Sequence, residues 1–203
     1  SKPIQAPLPR PKLTICRSKL TSENVKDCGL LPTKPDWAAG WKNLWQPGEA
    51  GARARLDEFA KNGLAGYREM RERPDKQGSS RLSPYLHWGE ISPRQIAARL
   101  AIEEKHHLKR EGATKFMSEI GWREFAYQLI YNYPALPEQN WRKKFDAYPW
   151  RESTDDLKVW QQGRTGYPFV DAGMRELWHT GWMHNRVRMI TASFLVKHLR
   201  IDW

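Results

Sequence analysis

The stretch TGWMHNRVRMITASFLVKH, residues 180–198, places Trp182, His184, Asn185, Arg186, Arg188 and Met189 just ahead of and within an apolar run. Val187, Ile190, Thr191, Phe194 and Leu195 fall at i, i+3, i+4, i+7 and i+8, the spacing of one helical face, so these residues take the core side. Asn185 and Met189 are four apart, with Arg186 beside them, so an amide, a thioether and a guanidinium project from a neighbouring face near the helix start. That mixture suits a ligand better than a core or a plain solvated surface.

Two further groups have the makings of a site. In SEIGWREFAYQL, Glu119, Trp122 and Arg123 gather an acid, an indole and a cation on one helical face. Taken alone, such a trio is most often a surface salt bridge beside a half-buried tryptophan. GSSRLS supplies the Ser79, Ser80 and Ser83 hydroxyls and backbone N–H groups just after a glycine, which could wrap a phosphate or serve only as a capped turn. The six histidines show no metal-ligand spacing, so no metal is expected. Nor is there a nucleophile elbow, a Walker A loop or a glycine-rich dinucleotide fingerprint after a strand, which removes hydrolase, NTPase and Rossmann readings.

The elements that must hold these groups read as helices. Leu56, Phe59, Ala60 and Gly63 share one face of a helix that Gly63 or Gly66 would stop. GSSRLSPYLHWGEIS reads as a loop with one short helical turn, after which Ser92 caps and Pro93 opens a helix running to about residue 110. Further helices are expected at about 113–132, at 154–162 between a Thr154 cap and Gly163, at 168–179, and at 184–200. No segment alternates like a strand, so the fold class is all-α. Residues 1–46, rich in proline, read as an extended connector, and 47–203 as the helical domain. Trp37, Trp41 and Trp45 are expected to pack in the connector, and Trp160 and Trp178 in the core.

The 203 residues carry 34 Lys and Arg against 23 Asp and Glu, a net +11, which points to a polyanionic partner such as nucleic acid or a phosphate-rich cofactor. Cys16 and Cys28 have no companion pair and read as reduced thiols. No apolar run is long enough for a membrane span and no signal sequence opens the chain, so a cytoplasmic protein is expected.

The runs LLPTKPDWAAGWKNLWQPGEAGA, GSSRLSPYLHWGEISPRQI, EIGWREFAYQLIYNYP and VWQQGRTGYPFVDAGMRELWHTGWMHNRVRMITASFLVKHLRIDW closely resemble the photolyase and cryptochrome flavoproteins, in particular class I cyclobutane pyrimidine dimer photolyases. The resemblance runs from about Leu30 to Trp203 and keeps four motifs in the family's order. It implies a helical FAD-binding catalytic domain. Tyr67, Ser79, Ser80, Arg81, Leu82 and Ser83 match positions that hold the flavin's phosphates and ribityl chain, and Asn185 matches the residue facing flavin N5. Glu119 matches the carboxyl group that hydrogen-bonds a damaged pyrimidine, Trp122 the indole on which the flipped dimer rests, and Met189 a further wall. Arg71, Arg123 and Arg186 match positions near the DNA backbone, and Trp150 and Trp203 the outer and middle members of an electron relay.

The implied reaction is light-driven repair of pyrimidine dimers in DNA by electron donation from reduced FAD. A buried flavin reaches a dimer only if the lesion is flipped out of the duplex. Relative to the family, the chain begins after the α/β antenna domain, where a second chromophore would bind, and stops before the segment with the remaining flavin clasp. The flavin pocket is therefore expected to lack a wall. A blue-light receptor of cryptochrome type and a flavin-free helical DNA-binding remnant are the alternatives. The expected protein is a monomer without an obligate protein partner or membrane association.

Overall fold

The computed structural model describes residues 4–14 and 21–203, and every regular element among the described residues is a helix. Helix α1, Glu49–Glu58, runs directly into a π-helical turn, Phe59–Gly63, and buries Leu56, Phe59 and Ala60 on the expected face. Two short helices follow, α2 (Tyr67–Met70) and α3 (Ser83–His87). Helix α4, Pro93–Glu103, opens as its sequence demands. Ser92 Oγ accepts from the Gln95 N–H at 3.2 Å, the Gln95 side chain accepts in return from the Ser92 N–H at 2.8 Å, and Pro93 takes the first turn.

A single helix to residue 110 is not what forms. The chain breaks after Glu103, His106 turns extended, and α5 runs from His107 to Asn132. Side chains secure this corner. Glu103 is buried and accepts from both Arg99 and Lys109 at 2.6 Å, while Lys109 Nζ also donates to the Ala60 carbonyl at 2.9 Å. No glycine or proline marks the break, so local sequence gives no sign of it.

Helix α6, Thr154–Gln161, is capped by Ser153, one residue earlier than expected, and Gly163 adopts a left-handed conformation just beyond its end. Helix α7, Pro168–Thr180, follows a loop that buried Asp171 pins: its carboxylate accepts from the Thr165 N–H and hydroxyl and from the Gly166 N–H at 2.6–3.0 Å. Burial pushes that carboxyl up, but these hydrogen bonds outweigh it and hold the group below the ordinary carboxylate range. Helix α8, Asn185–Ser193, passes into a π-helical turn, Phe194–Leu199, that ends at left-handed Arg200. Of its expected core face, Val187, Thr191, Phe194 and Leu195 are buried, but Ile190 is 45% exposed.

Two apolar clusters result. The larger joins α1, its π turn, Leu64, Tyr67, Leu82, α3, α4 and the first half of α5; the smaller joins Met174 of α7 with Met183 and Val187, against Trp160. The connector reaches the larger cluster and α7. A 3₁₀ turn over Ala39–Asn43 carries Trp41, whose Nε1 donates to the Trp178 carbonyl at 3.3 Å, and Trp45 packs on the larger cluster. Trp178 itself is not a core residue: its indole is 60% exposed. Cys28 is exposed and Cys16 lies outside the described residues. No helix of the described residues is long and apolar enough to cross a membrane.

Candidate functional site

The seam between the two clusters is where the chemistry-bearing residues collect. Tyr67 of α2, Arg71, the loop 79–83 and Glu119 of α5 form one wall of a cleft; Trp182, Met183, His184, Asn185 and Arg188 form the other. Its volume is about 220 Å³. A second cleft of about 390 Å³ shares Tyr67, Ser80, Leu82, Ser83 and Glu119 and continues past Phe116 and Ile120 to Arg123. The five shared residues make the two a continuous groove.

Local geometry explains why the loop sits there. A Cβ on Gly78 would lie 2.3 Å from the Met70 carbonyl oxygen, so only glycine lets the loop fold back on the end of α2. Arg81 is in the left-handed region, φ 54°, which swings its guanidinium over the Trp182 ring at 4.7 Å and ties the two walls together. Ser80 Oγ accepts from the Leu82 N–H at 3.3 Å, and Leu82 is buried beneath it.

A chain of charges crosses the groove. Arg71 pairs with Glu119 at 3.0 Å and with Glu72 at 2.9 Å, and Lys115 reaches Glu119 at 3.1 Å. Glu72 also takes Arg186: Nη2 donates to it at 2.7 Å, and Nε closes the second arm of a bidentate pair. The Arg186 hydrogen bond, more than any other influence, holds the Glu72 carboxyl below the ordinary carboxylate range. Burial raises the Tyr67 phenol, partly opposed by Arg71. Burial also lowers the buried His184 imidazole, whose Nδ1 accepts from the Arg186 N–H at 3.1 Å to cap α8.

The candidates divide into those gathered in the groove and those outside it. Tyr67, Arg71, Ser79, Ser80, Arg81, Leu82, Ser83, Glu119, Arg123 and Asn185 line it. Trp122 lines neither cleft; it is 63% exposed and meets Phe125 edge-on. Met189 is exposed beside Arg186, whose Nη1 lies 3.6 Å from its sulfur. Trp150 is half-buried against Tyr148, with ring centroids 4.7 Å apart, and Trp203 is exposed. The Arg151 N–H donates to the Arg200 carbonyl at 2.7 Å, which joins the residue after Trp150 to the chain three residues before Trp203. Arg123 donates to the Leu86 carbonyl at 3.3 Å and lies over the Tyr127 ring at 4.4 Å. Among the described residues no cluster of His, Cys, Asp and Glu could hold a metal ion.

Sequence reasoning missed Glu72, Phe116 and Arg188. Arg188 stood in the stretch that first suggested a ligand. For Glu72 only a carboxylate beside Arg71 was visible, and its partner Arg186 is 114 residues away.

Residues 116–203 match the model of the FAD binding domain of DNA photolyase. A crystal structure of a bacterial class III photolyase from Agrobacterium tumefaciens superposes with a TM-score of 0.89 at 49% identity, covering 94% of this chain and 39% of that one. The fold is that of the photolyase and cryptochrome FAD-binding domain. Among curated relatives, a deoxyribodipyrimidine photo-lyase of Agrobacterium fabrum is 49% identical over 98% of this chain, and cryptochrome-2 of Arabidopsis thaliana 43% identical over 91%. A Synechocystis cryptochrome structure matches at a TM-score of 0.66 and 34% identity over 78% of this chain and 34% of that one. The chain spans 41% of the length of the Agrobacterium photo-lyase and 30% of that of the cryptochrome. The groove's donor set suits the domain's cofactor: serine hydroxyls, Arg81 and Arg188 for phosphates, and Leu82, Phe116 and Met183 for apolar rings.

Proposed function

We propose that this chain is part of a light-driven DNA repair enzyme acting on cyclobutane pyrimidine dimers, with FAD bound along the seam groove. Carrying this reading is the position of Glu119: its carboxylate lies in the cleft lined by the 79–83 loop and is paired with Arg71. A carboxylate can accept a hydrogen bond from a pyrimidine ring N–H, and Arg71 beside it can meet a phosphate. Tyr67, Ser79, Ser80, Arg81, Leu82, Ser83 and Asn185 would hold FAD, whose chemistry when bound is donation of an electron after absorbing light. The protein's part is to orient the lesion, exclude water and supply polarity. Arg71, Arg123 and Arg186 would meet the DNA backbone, Trp122 and Met189 the flipped bases, and Trp150 and Trp203 would relay electrons. The motifs suggest class I, whereas 49% identity to a protein described as a class III photolyase favours that subtype; both are photolyases.

One observation favours the blue-light receptor alternative: Trp122 and Met189 lie outside the cleft that contains Glu119. The deciding experiment uses the chain extended by the residues its Agrobacterium relative carries beyond the matched region. Loaded with FAD, it is illuminated with an oligonucleotide carrying one thymine dimer. Dimer loss, reduced roughly tenfold or more by Glu119→Gln with FAD retained, is expected from loss of a hydrogen bond to a charged group. Flavin retention with no dimer loss would move the assignment to the receptor, and no flavin retention to a DNA-binding remnant.

A further inference from the structure

Glu72 lines neither cleft of the groove, yet it holds two of the three arginines assigned to DNA. Its Oε1 accepts from Arg71 Nη1 at 2.9 Å and from Arg186 Nη2 at 2.7 Å, and its Oε2 takes Arg186 Nε. Such a fork on Arg186 occupies the same guanidinium edge that a phosphate would take. Resting on the DNA reading of this site, we propose that Glu72 is a built-in competitor for backbone phosphates, occupying Arg71 and Arg186 until a nucleic-acid strand displaces it.

The geometry makes that displacement cheap. Glu72 and Arg186 are each 41% exposed, so water and salt screen their attraction and the pair is weak. Arg71 is differently held: its side chain is only 13% exposed and Glu119 grips it at 3.0 Å, so loss of Glu72 leaves its guanidinium in place. The Arg186 backbone is fixed by its N–H, which caps onto His184, and its guanidinium keeps the Met189 sulfur at 3.6 Å. Arg71 is therefore preset without Glu72, and the carboxylate is the movable member of that pair. In a chain of net charge +11, such a competitor trims attraction to any polyanion and leaves contacts inside the groove untouched. A bound strand must also release Glu72 to water, where it gathers a cation; this offsets part of the counterion release that favours binding.

The test measures binding of fluorescent duplex DNA, with and without one thymine dimer, to the chain over a salt series. Glu72→Gln should tighten both DNAs about three- to tenfold at about 0.1 M salt, the worth of one exposed pair with Arg186 and one part-buried pair with Arg71. It should steepen the slope of log K against log salt by about one. Glu111→Gln removes the same charge from an exposed pair with Arg68 and should change affinity less than about twofold. In the Arg71→Ala, Arg186→Ala background the Glu72 substitution should do nothing further. If the amide lowers the melting temperature, Glu72→Asp, which keeps the charge but shortens the fork, should shift affinity the same way by less. Binding by the wild-type chain that Glu72→Gln leaves unchanged, or changes no more than Glu111→Gln does, overturns the competitor and leaves the DNA reading standing. No DNA binding by any variant overturns both.

Discussion

The Trp45 indole donates a 2.7 Å hydrogen bond to the Thr180 carbonyl, 135 residues away, while its ring meets Tyr85 at 6.2 Å between centroids. One side chain thus joins the larger apolar cluster to the C-terminal end of α7, the helix that supplies Met174 to the smaller one. The tryptophan-bearing end of the connector is part of what positions the site, since Trp41 adds a second tie to Trp178.

Replacing Trp45 with Phe keeps much of the packing and removes the hydrogen bond. Loss of about 1 kcal/mol in unfolding free energy is expected, the net worth of one such bond. Denaturant unfolding followed by tryptophan fluorescence measures it, and an unchanged midpoint would mean that the tie is not structural. The variant should also weaken FAD binding, because its loosened seam is the groove.

Gly173 sets how closely α7 and α8 approach. A Cβ there would stand 2.2 Å from Val187 Cγ1 and 3.3 Å from Thr191 Cγ2, both on buried residues. Gly173→Ala should therefore cost roughly 1–3 kcal/mol by overpacking, despite alanine's better helix propensity. Pairing it with Val187→Ala should recover part of the loss. A stabilised Gly173→Ala variant would show that the two helices separate freely.

How much of this was readable beforehand follows a physical division. Features written within one turn of helix were legible: the Ser92 cap and Pro93 at the start of α4, the extent of α7 to within a residue, and the buried face Leu56, Phe59 and Ala60. Features made by residues distant in sequence were not. The corner at 104–106 depends on Lys109 reaching Ala60, and the exposure of Ile190 and Trp178 on what else packs beside them. Residues from segments as far apart as Tyr67, Glu119 and Asn185 line one groove, a gathering that no spacing within a helix could show. Glu72 escaped because no motif and no periodicity links it to Arg186.

His184 makes stability depend on pH. Its folded pKa lies below the ordinary 6.5 chiefly through burial, while Arg71's backbone, Glu176 and Glu72 pull it upward and Arg186 pushes it down. Unfolded chains then bind a proton that the folded one resists, so the contribution is complete above about pH 6.5 and is lost as pH falls from there through the folded pKa. Protonation would also remove the Nδ1 acceptor that caps α8. His184→Asn keeps a capping acceptor without titrating. Melting temperatures between about pH 7.5 and pH 5.5 should fall more for the wild type than for the variant, and parallel curves would assign the pH dependence elsewhere.

The final prediction separates Trp122 from Trp150. Trp122 is 63% exposed, so Trp122→Ala should leave the melting temperature nearly unchanged, which a core indole could not do. If the exposed ring receives a flipped dimer, the same variant should lose roughly 1–3 kcal/mol of dimer-DNA affinity, the worth of one aromatic stacking contact, and keep its flavin. Trp150 is half-buried against Tyr148, and its backbone neighbour Arg151 is bonded to Arg200, beside the segment that ends in Trp203. Trp150→Phe preserves that packing but puts a poorer electron relay in its place. In the extended chain it should slow light-driven reduction of oxidised flavin while leaving dimer binding and repair by chemically reduced protein intact. Dimer-DNA affinity, photoreduction rate and melting temperature, measured on both variants, give two separable defects if the roles differ. Equal losses in all three for both tryptophans would make them structural residues and remove Trp122 from the lesion site.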